Sequence, residues 1–396
     1  MSVKPSQPSF FLLIAVIGGL AIFSSTLSKT PVLPLFAASL NASPAEIGWI
    51  VVASTIPGIL VSYPAGALSD YLGKRRMLLA SLVVFASAPF LYLVVETAWQ
   101  LMAVRFYHGF ATAIFGTVAT AAIAERYSTD RAARLSTYSS VTIVGRSAAP
   151  FLGGALISLG SFDAVYIACA IAGVLALGAG LLLKDHEPRP TTKLELPRFW
   201  ASLRTVLRDR GIMLVSTVEA AQYLVFGAIE AFLTLYASSL GIPAWQIGVI
   251  LGVQLLSIVF TKPVMGSISD RVGRRRVILP GLLIGAASVA LLPVFPNVVG
   301  LSLLSLVFGL GFATVTSSTA ALVADLTQDG RFGSSMGVLR TVMDVGQSIG
   351  PVLTGFVVGV AGYASAFALL AAILVAAALM LALLLKDVDK GTPEGL

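Results

Sequence analysis

Charge is scarce in this chain. Of its 396 residues 11% are charged and 57% hydrophobic, too little charge to keep a soluble surface of this size wet. A water-soluble globular fold is excluded, and the surface must face lipid. Cysteine is limited to Cys169, inside an apolar run, so no internal disulfide can form. With two histidines and one cysteine, neither a metal-ligand cluster nor a nucleophile triad stands out. A nucleotide-binding loop of the Gly-x-x-x-x-Gly-Lys-Ser/Thr type is missing too, which argues against ATP-driven transport. No cofactor, no metal and no enzymatic reaction are expected. The net charge of +7 would suggest nucleic acid in a soluble protein, but here the basic residues sit between apolar segments and report topology.

Long apolar segments are what the chain has in abundance. Spans of about 20 or more such residues fall at 10–38, 45–69, 77–96, 99–125, 133–159, 163–184, 212–240, 245–270, 277–295, 299–325, 333–361 and 364–386. The first, from Phe10, has a counterpart in the second half and so belongs to the fold rather than to a cleaved signal peptide. Between the halves, Lys184 to Gly211 is the one long polar stretch and reads as a linker, with Phe199–Leu207 a candidate amphipathic surface helix. The expectation is an all-α membrane protein of twelve transmembrane helices: an N-terminal six-helix bundle over 1–184, a linker over 185–211 and a C-terminal six-helix bundle over 212–396. All but five of the 26 Lys and Arg residues lie in the termini, the linker and the even-numbered gaps. By the positive-inside rule both termini are cytoplasmic, as expected of a multi-pass protein of a cell membrane.

The two halves also repeat each other. Gly66-Ala67-Leu68-Ser69-Asp70-Tyr71-Leu72-Gly73-Lys74-Arg75-Arg76 returns as Gly266-Ser267-Ile268-Ser269-Asp270-Arg271-Val272-Gly273-Arg274-Arg275-Arg276. Ile47-Gly48 matches Ile247-Gly248, Gly109-Phe110-Ala111-Thr112 matches Gly311-Phe312-Ala313-Thr314, Glu125 matches Asp325, and Gly145 with Pro150 matches Gly346 with Pro351. The doubled loop resembles the signature of the major facilitator superfamily. In the fifth span Gly145-Arg146-Ser147-Ala148-Ala149-Pro150-Phe151-Leu152-Gly153-Gly154 resembles the glycine and proline motif of that superfamily's proton-coupled drug antiporters, with Ala149 in place of a glycine. Arg105-Phe106-Tyr107-His108-Gly109 resembles that branch's second motif, with His108 in place of a glutamine.

The resemblance implies alternating access by two pseudosymmetric halves about a mid-membrane site, and it implies roles for particular residues. Gly66, Asp70, Gly73, Lys74, Arg75 and Glu125, with Gly266, Asp270, Gly273, Arg274 and Asp325, would form a conformational latch. Asp70 would accept bonds from a helix N-terminus, Glu125 would pair with Lys74 or Arg75, and Asp325 with Arg274 or Arg275. These residues could equally do no more than set topology. Gly145, Pro150, Gly153 and Gly154, with Gly346, Gly350 and Pro351, would let helices approach closely where the halves meet. Arg105 would serve proton coupling or substrate.

Charges at membrane depth cost several kcal/mol unless paired or hydrated. On the seventh span Glu219, Gln222, Phe226 and Glu230 share one helical face. Withdrawal from water disfavours a carboxylate and a nearby cation favours it, so proton and substrate can compete for one acid. Glu219, Glu230 and Asp344, with Arg105 and His108, are the proton-coupling candidates. His108 is as well read as a packed polar side chain, and Asp344 as the partner of Arg340 one turn away, with Lys262 sharing that network. Arg105 is expected to hold a carboxylate or a backbone carbonyl. Lys29, Arg105, Arg146, Gln222, Phe226 and Glu230 are candidates for the substrate cavity, Lys29 either gating it with Glu230 or snorkelling to the outer surface.

The leading expectation is thus a proton-coupled antiporter exporting small amphiphilic organic compounds, a multidrug-type efflux protein working as a monomer. Its partners are a small-molecule substrate, protons and membrane lipid, with no nucleic acid. The first half has three cations and no acid deep in its spans, which keeps a carrier of an organic anion or zwitterion in contention. A receptor or scaffold of the same fold is the third reading.

Overall fold

The computed structural model describes residues 10–127, 130–184, 205–327 and 332–389, which form helices and turns with no strand among them. In the first half these are α1 (Phe10–Leu27), α2 (Val32–Ser39), α3 (Pro44–Ala53), α4 (Thr55–Leu72), α5 (Lys74–Tyr92), α6 (Ala98–Arg126), α7 (Arg131–Leu159) and α8 (Phe162–Leu181). In the second they are α9 (Arg210–Ser239), α10 (Ala244–Val272), α11 (Arg274–Leu291), α12 (Val298–Leu326) and α13 (Phe332–Asp389). Helix starts carry recognisable signals. Thr97 and Gln100 form a capping box ahead of α6, and Asn297 caps α12 at the equivalent point. Asp209 accepts from the Ile212 amide at the start of α9. Gly73 and Gly273 take φ of 91° and 101°, a backbone reversal that residues with a Cβ resist.

Eleven helical stretches among the described residues are long and apolar enough to cross a membrane. The count differs from the expected twelve at one place. Predicted spans 333–361 and 364–386 lie in the single element α13, whose candidate span Ser334–Leu384 runs for 51 residues. Its helical backbone is broken at Gly362, with φ 78° and ψ 175°. One glycine can interrupt a helix without any polar loop, so the break leaves little trace in hydropathy.

Contacts among the described residues define two units, one of 10–41 and 50–184, the other of 42–49 and 205–389. Segment 42–49 therefore groups with the second unit, whereas a division by sequence alone assigned it to the first. Most of the anticipated surface helix, residues 199–204, lies outside the described residues.

Within each unit the same packing is repeated. In the first, α1 packs on α7 and α8, α5 on α6 and α8, and α4 on α6; in the second, α9 packs on α13, α10 on α12, and α11 on α12 and α13. Glycine sets the closest approaches. A Cβ at Gly109 of α6 would come within 2.8 Å of the Ser54 Cα, and one at Gly309 of α12 would lie 2.6 Å from the Gln254 carbonyl oxygen. Both pairs are 55 residues apart, and α12 begins 200 residues after α6. The apparent match of Gly109–Thr112 to Gly311–Thr314 is thus two residues out of register, and the counterpart of Arg105 is Ser305.

Glycines of the helix-interface motif make close approaches within each unit. A Cβ at Gly145 would meet the Gly19 carbonyl of α1 at 3.1 Å, and one at Gly153 would meet Val32 at 3.1 Å. Gly346 and Gly350 of α13 abut the backbone of Ala220 and Leu224 in α9. These glycines seat α7 and the first part of α13 inside their own units, because a helix pair this close needs hydrogen in place of a side chain on one partner. Gly154, Pro150 and Pro351 are buried in the same helices.

Candidate functional site

The basic loops form ion pairs at the helix ends. Lys74, at the first position of α5 and almost fully buried, pairs with Glu125 near the end of α6. Arg75 spends two donors on the Leu181 and Leu183 carbonyls at the end of α8. In the second unit Arg274 pairs with Asp270 and with Asp325, its Nε 3.0 Å from the Asp325 carboxylate, and also donates to Ser269. Arg275 donates to the Ala382 carbonyl. The lysine or arginine at the start of the helix therefore holds the acid, and its neighbour donates to backbone carbonyls of another helix, at its C-terminus in the case of Arg75. Gly266 has open space where a Cβ would be, so packing does not demand glycine there. The surroundings of Gly66 and the side chain of Asp70 lie outside what the structure describes.

Arg105 is the centre of a buried polar chain in the first unit. Its Nη2 donates to the Ser54 hydroxyl at 2.6 Å and its Nη1 to the Tyr92 hydroxyl at 3.4 Å. The Tyr92 oxygen is also 3.3 Å from His108 Nδ1. A guanidinium can only donate, so the Tyr92 oxygen accepts from Arg105, while the direction of the Tyr92–His108 bond follows the tautomer of the imidazole. The His108 Nε2, the Arg105 Nε and the Tyr166 hydroxyl are buried with no partner among the described residues. Tyr166 stacks flat on Tyr92 at 4.4 Å, and Phe85 closes the edge of His108 at 5.7 Å. The carboxylate or carbonyl expected for Arg105 is not found among the described residues. Two hydroxyls take its place, because the close approach of α6 at Gly109 brings Ser54 within reach. Neither Ser54 nor Tyr92 was singled out from the sequence, since hydroxyls in an apolar span add nothing to a count of charges.

Glu219 of α9 is the buried acid of the second unit that the sequence singled out first. It is 4% exposed, and its carboxylate accepts a hydrogen bond from Thr319 of α12. Lys262 of α10 lies close enough to act on it by charge. Lys262 was expected to join Asp344; the structure sets it by Glu219, because α10 and α9 both pack in the bundle with α12. Thr319 was missed for the same reason as Tyr92. Gln222, one turn beyond Glu219, is fully buried with both amide atoms unpartnered among the described residues, 3.8 Å from where a Cβ on Gly285 would stand. Phe226 packs on Phe312 at 4.5 Å, and Tyr223 on Phe312 at 5.0 Å. Glu230 is buried at 6% exposure. The predicted face of α9 thus turns onto α11 and α12.

The remaining candidates are more accessible. Asp344 is half-buried with Arg340 as its electrostatic neighbour, Lys29 is half-buried, and Arg146 is exposed. No group of three or more potential metal ligands occurs among the described residues.

Comparison with known proteins places this architecture. The sequence matches the profile of the Major Facilitator Superfamily over residues 11–253 and 215–395, and the chain belongs to that family. It is an integral membrane transporter of a small molecule rather than an enzyme. Among curated relatives, an uncharacterised MFS-type transporter of Methanocaldococcus jannaschii is 22% identical over 85% of this chain and 88% of its own length. The staphyloferrin B transporter of Staphylococcus aureus is 24% identical over 81% of this chain and 79% of its own. The quinolone resistance protein NorA of the same species is 25% identical over 82% and 84%. Among solved structures, a mutant of the nucleoside transporter NupG superposes with a TM-score of 0.81 at 16% identity, covering 94% of this chain and 99% of that one. A bacterial homologue of the human lysosomal transporter Spinster gives 0.76 at 15% identity, covering 96% of each. At such identities the structural likeness speaks for the fold alone.

Proposed function

We propose that this transporter is a proton-coupled antiporter that exports small amphiphilic organic compounds by alternating access, with Glu219 as its principal proton carrier. The observation that carries the reading is a carboxylate withdrawn from water within a membrane helix, held by one hydroxyl and facing one cation on a neighbouring helix. A small displacement of Lys262 or Thr319 changes the balance between the protonated and charged forms, and that is what a carrier needs. Glu230 and Asp344 are secondary candidates. The similarity to NorA, a quinolone resistance protein by name, supports an organic compound as cargo.

The test is lumenal pH in proteoliposomes of the purified protein after addition of a lipophilic cation, with Glu219→Gln and Glu230→Gln alongside. A cation-driven proton flux that Glu219→Gln loses supports the assignment. A flux that survives both substitutions removes the acids of α9 from the mechanism.

A second reading is favoured by Arg105. A buried guanidinium that meets only hydroxyls, in a half without a deep acid, suits an organic anion or zwitterion. If the wild type moves no protons with cations, counterflow of organic anions with Arg105→Gln becomes the decisive assay. Under either reading the 51-residue element crosses twice, giving twelve spans in two six-helix bundles with both termini cytoplasmic, in a cell membrane, and the monomer is the transporting unit.

A further inference from the structure

At the end of the first unit where α1 and α5 begin and α6 and α8 stop, a shallow recess is lined by Phe10, Lys74, Arg75, Leu78, Arg126 and Lys184 together with Ala122 and Leu183. Four of its walls are cationic. Lys74 is matched by Glu125, and two of the five donors on Arg75 are used by the carbonyls of Leu181 and Leu183. Arg126 lies over the Phe10 ring at 4.6 Å, a contact that orients the guanidinium plane without consuming its hydrogen-bond donors. No acid pairs with Arg126 or Lys184 among the described residues.

Position and surroundings narrow the ligand. All four helices pass here from apolar span to polar flank, the level at which phospholipid headgroups lie. Beside the recess Leu181 and Leu182 are 60% and 66% exposed and Leu12 is 56% exposed, a wall suited to acyl chains. Among the described residues the second unit shows no equivalent arrangement. Arg274 there is shared by two carboxylates, and the position that matches Arg126 is Leu326.

We infer that this recess binds a phosphate ester, held by Arg126, Lys184 and the remaining donors of Arg75, and that its source is an anionic phospholipid of the surrounding leaflet. Each basic residue near an anionic headgroup contributes about 1 kcal/mol, a factor of about fivefold in binding. Occupancy would tie the start of α5, and hence the Lys74–Glu125 pair, to lipid composition.

The experiment measures thermal unfolding of the purified full chain in detergent with phosphatidylglycerol, phosphatidylcholine or soluble glycerol phosphate, and counts retained lipids by native mass spectrometry. Phosphatidylglycerol should raise the unfolding temperature and remain bound, and phosphatidylcholine should not. Arg126→Gln with Lys184→Gln should weaken binding by an order of magnitude or more, and Lys184→Gln alone by about fivefold. Arg76→Gln with Arg276→Gln removes the same charge from exposed positions outside the recess and should leave binding unchanged. Equal loss in the two double variants would mean diffuse attraction and overturn the site. So would an unshifted wild type, or a recess variant that binds as the wild type does. Stabilisation by glycerol phosphate equal to that by the lipid would overturn the lipid source while leaving a phosphate-ester site.

Discussion

At the scale of the residue, the chemistry lies in hydroxyls as much as in charges. Tyr92 accepts from Arg105 and serves His108, so Tyr92→Phe deprives two buried groups of a partner at once. The expected cost is about 1–3 kcal/mol, read as a fall in unfolding temperature in detergent, with Arg105 still folded against Ser54. Glu219→Gln keeps an acceptor for Thr319 and is expected to leave unfolding temperature close to wild type while abolishing proton coupling. A loss of folded protein equal to the loss of flux would mean that Glu219 is structural. The sequence displayed Arg105, His108 and Glu219, because charge in an apolar span is conspicuous. It concealed Ser54, Tyr92 and Thr319, because serine, threonine and tyrosine occur throughout apolar helices, and only a partner across the bundle gives one of them a role.

At the scale of the element, glycines decide how near two helices come. A methyl at Gly109 collides with the Ser54 backbone rather than with a movable side chain, so Gly109→Ala should destabilise by about 1–3 kcal/mol and disturb the Arg105 to Ser54 bond. Gly116 on the same helix has open space around it, and Gly116→Ala serves as the tolerated control. The break in α13 makes a similar demand on backbone. At φ 78° and ψ 175° Gly362 occupies a region nearly closed to other residues, and Gly362→Ala should cost about 1–3 kcal/mol by thermal unfolding. The Lys74–Glu125 pair calls for a smaller figure. Glu125 is 56% exposed, water screens the pair, and a double-mutant cycle should return a coupling of about 0–1 kcal/mol. We propose that the pair serves as a latch, acting through conformational populations rather than through stability.

At the scale of the whole molecule, the number of crossings has a parity that can be tested. Twelve crossings return the chain to its starting side and eleven do not. In a Cys169→Ser background, single cysteines placed at Ser2 and Thr392 should be labelled from the same side of sealed vesicles; labelling from opposite sides would make α13 a single crossing. What the sequence determined by itself is the solvent and the repeat: scarce charge demands lipid, long apolar runs demand helices there, and equal spacing of two signature loops demands two related halves. These follow from local composition, because a bilayer imposes the same requirement on every span. What only the tertiary structure decided is partnership. It chose Lys74 over Arg75 for Glu125, hydroxyls over a carboxylate for Arg105, Lys262 for Glu219 and a register of 200 residues between α6 and α12. Such choices depend on which helix faces meet, and that is settled by side-chain volume and close approach at glycine, quantities that no single segment carries.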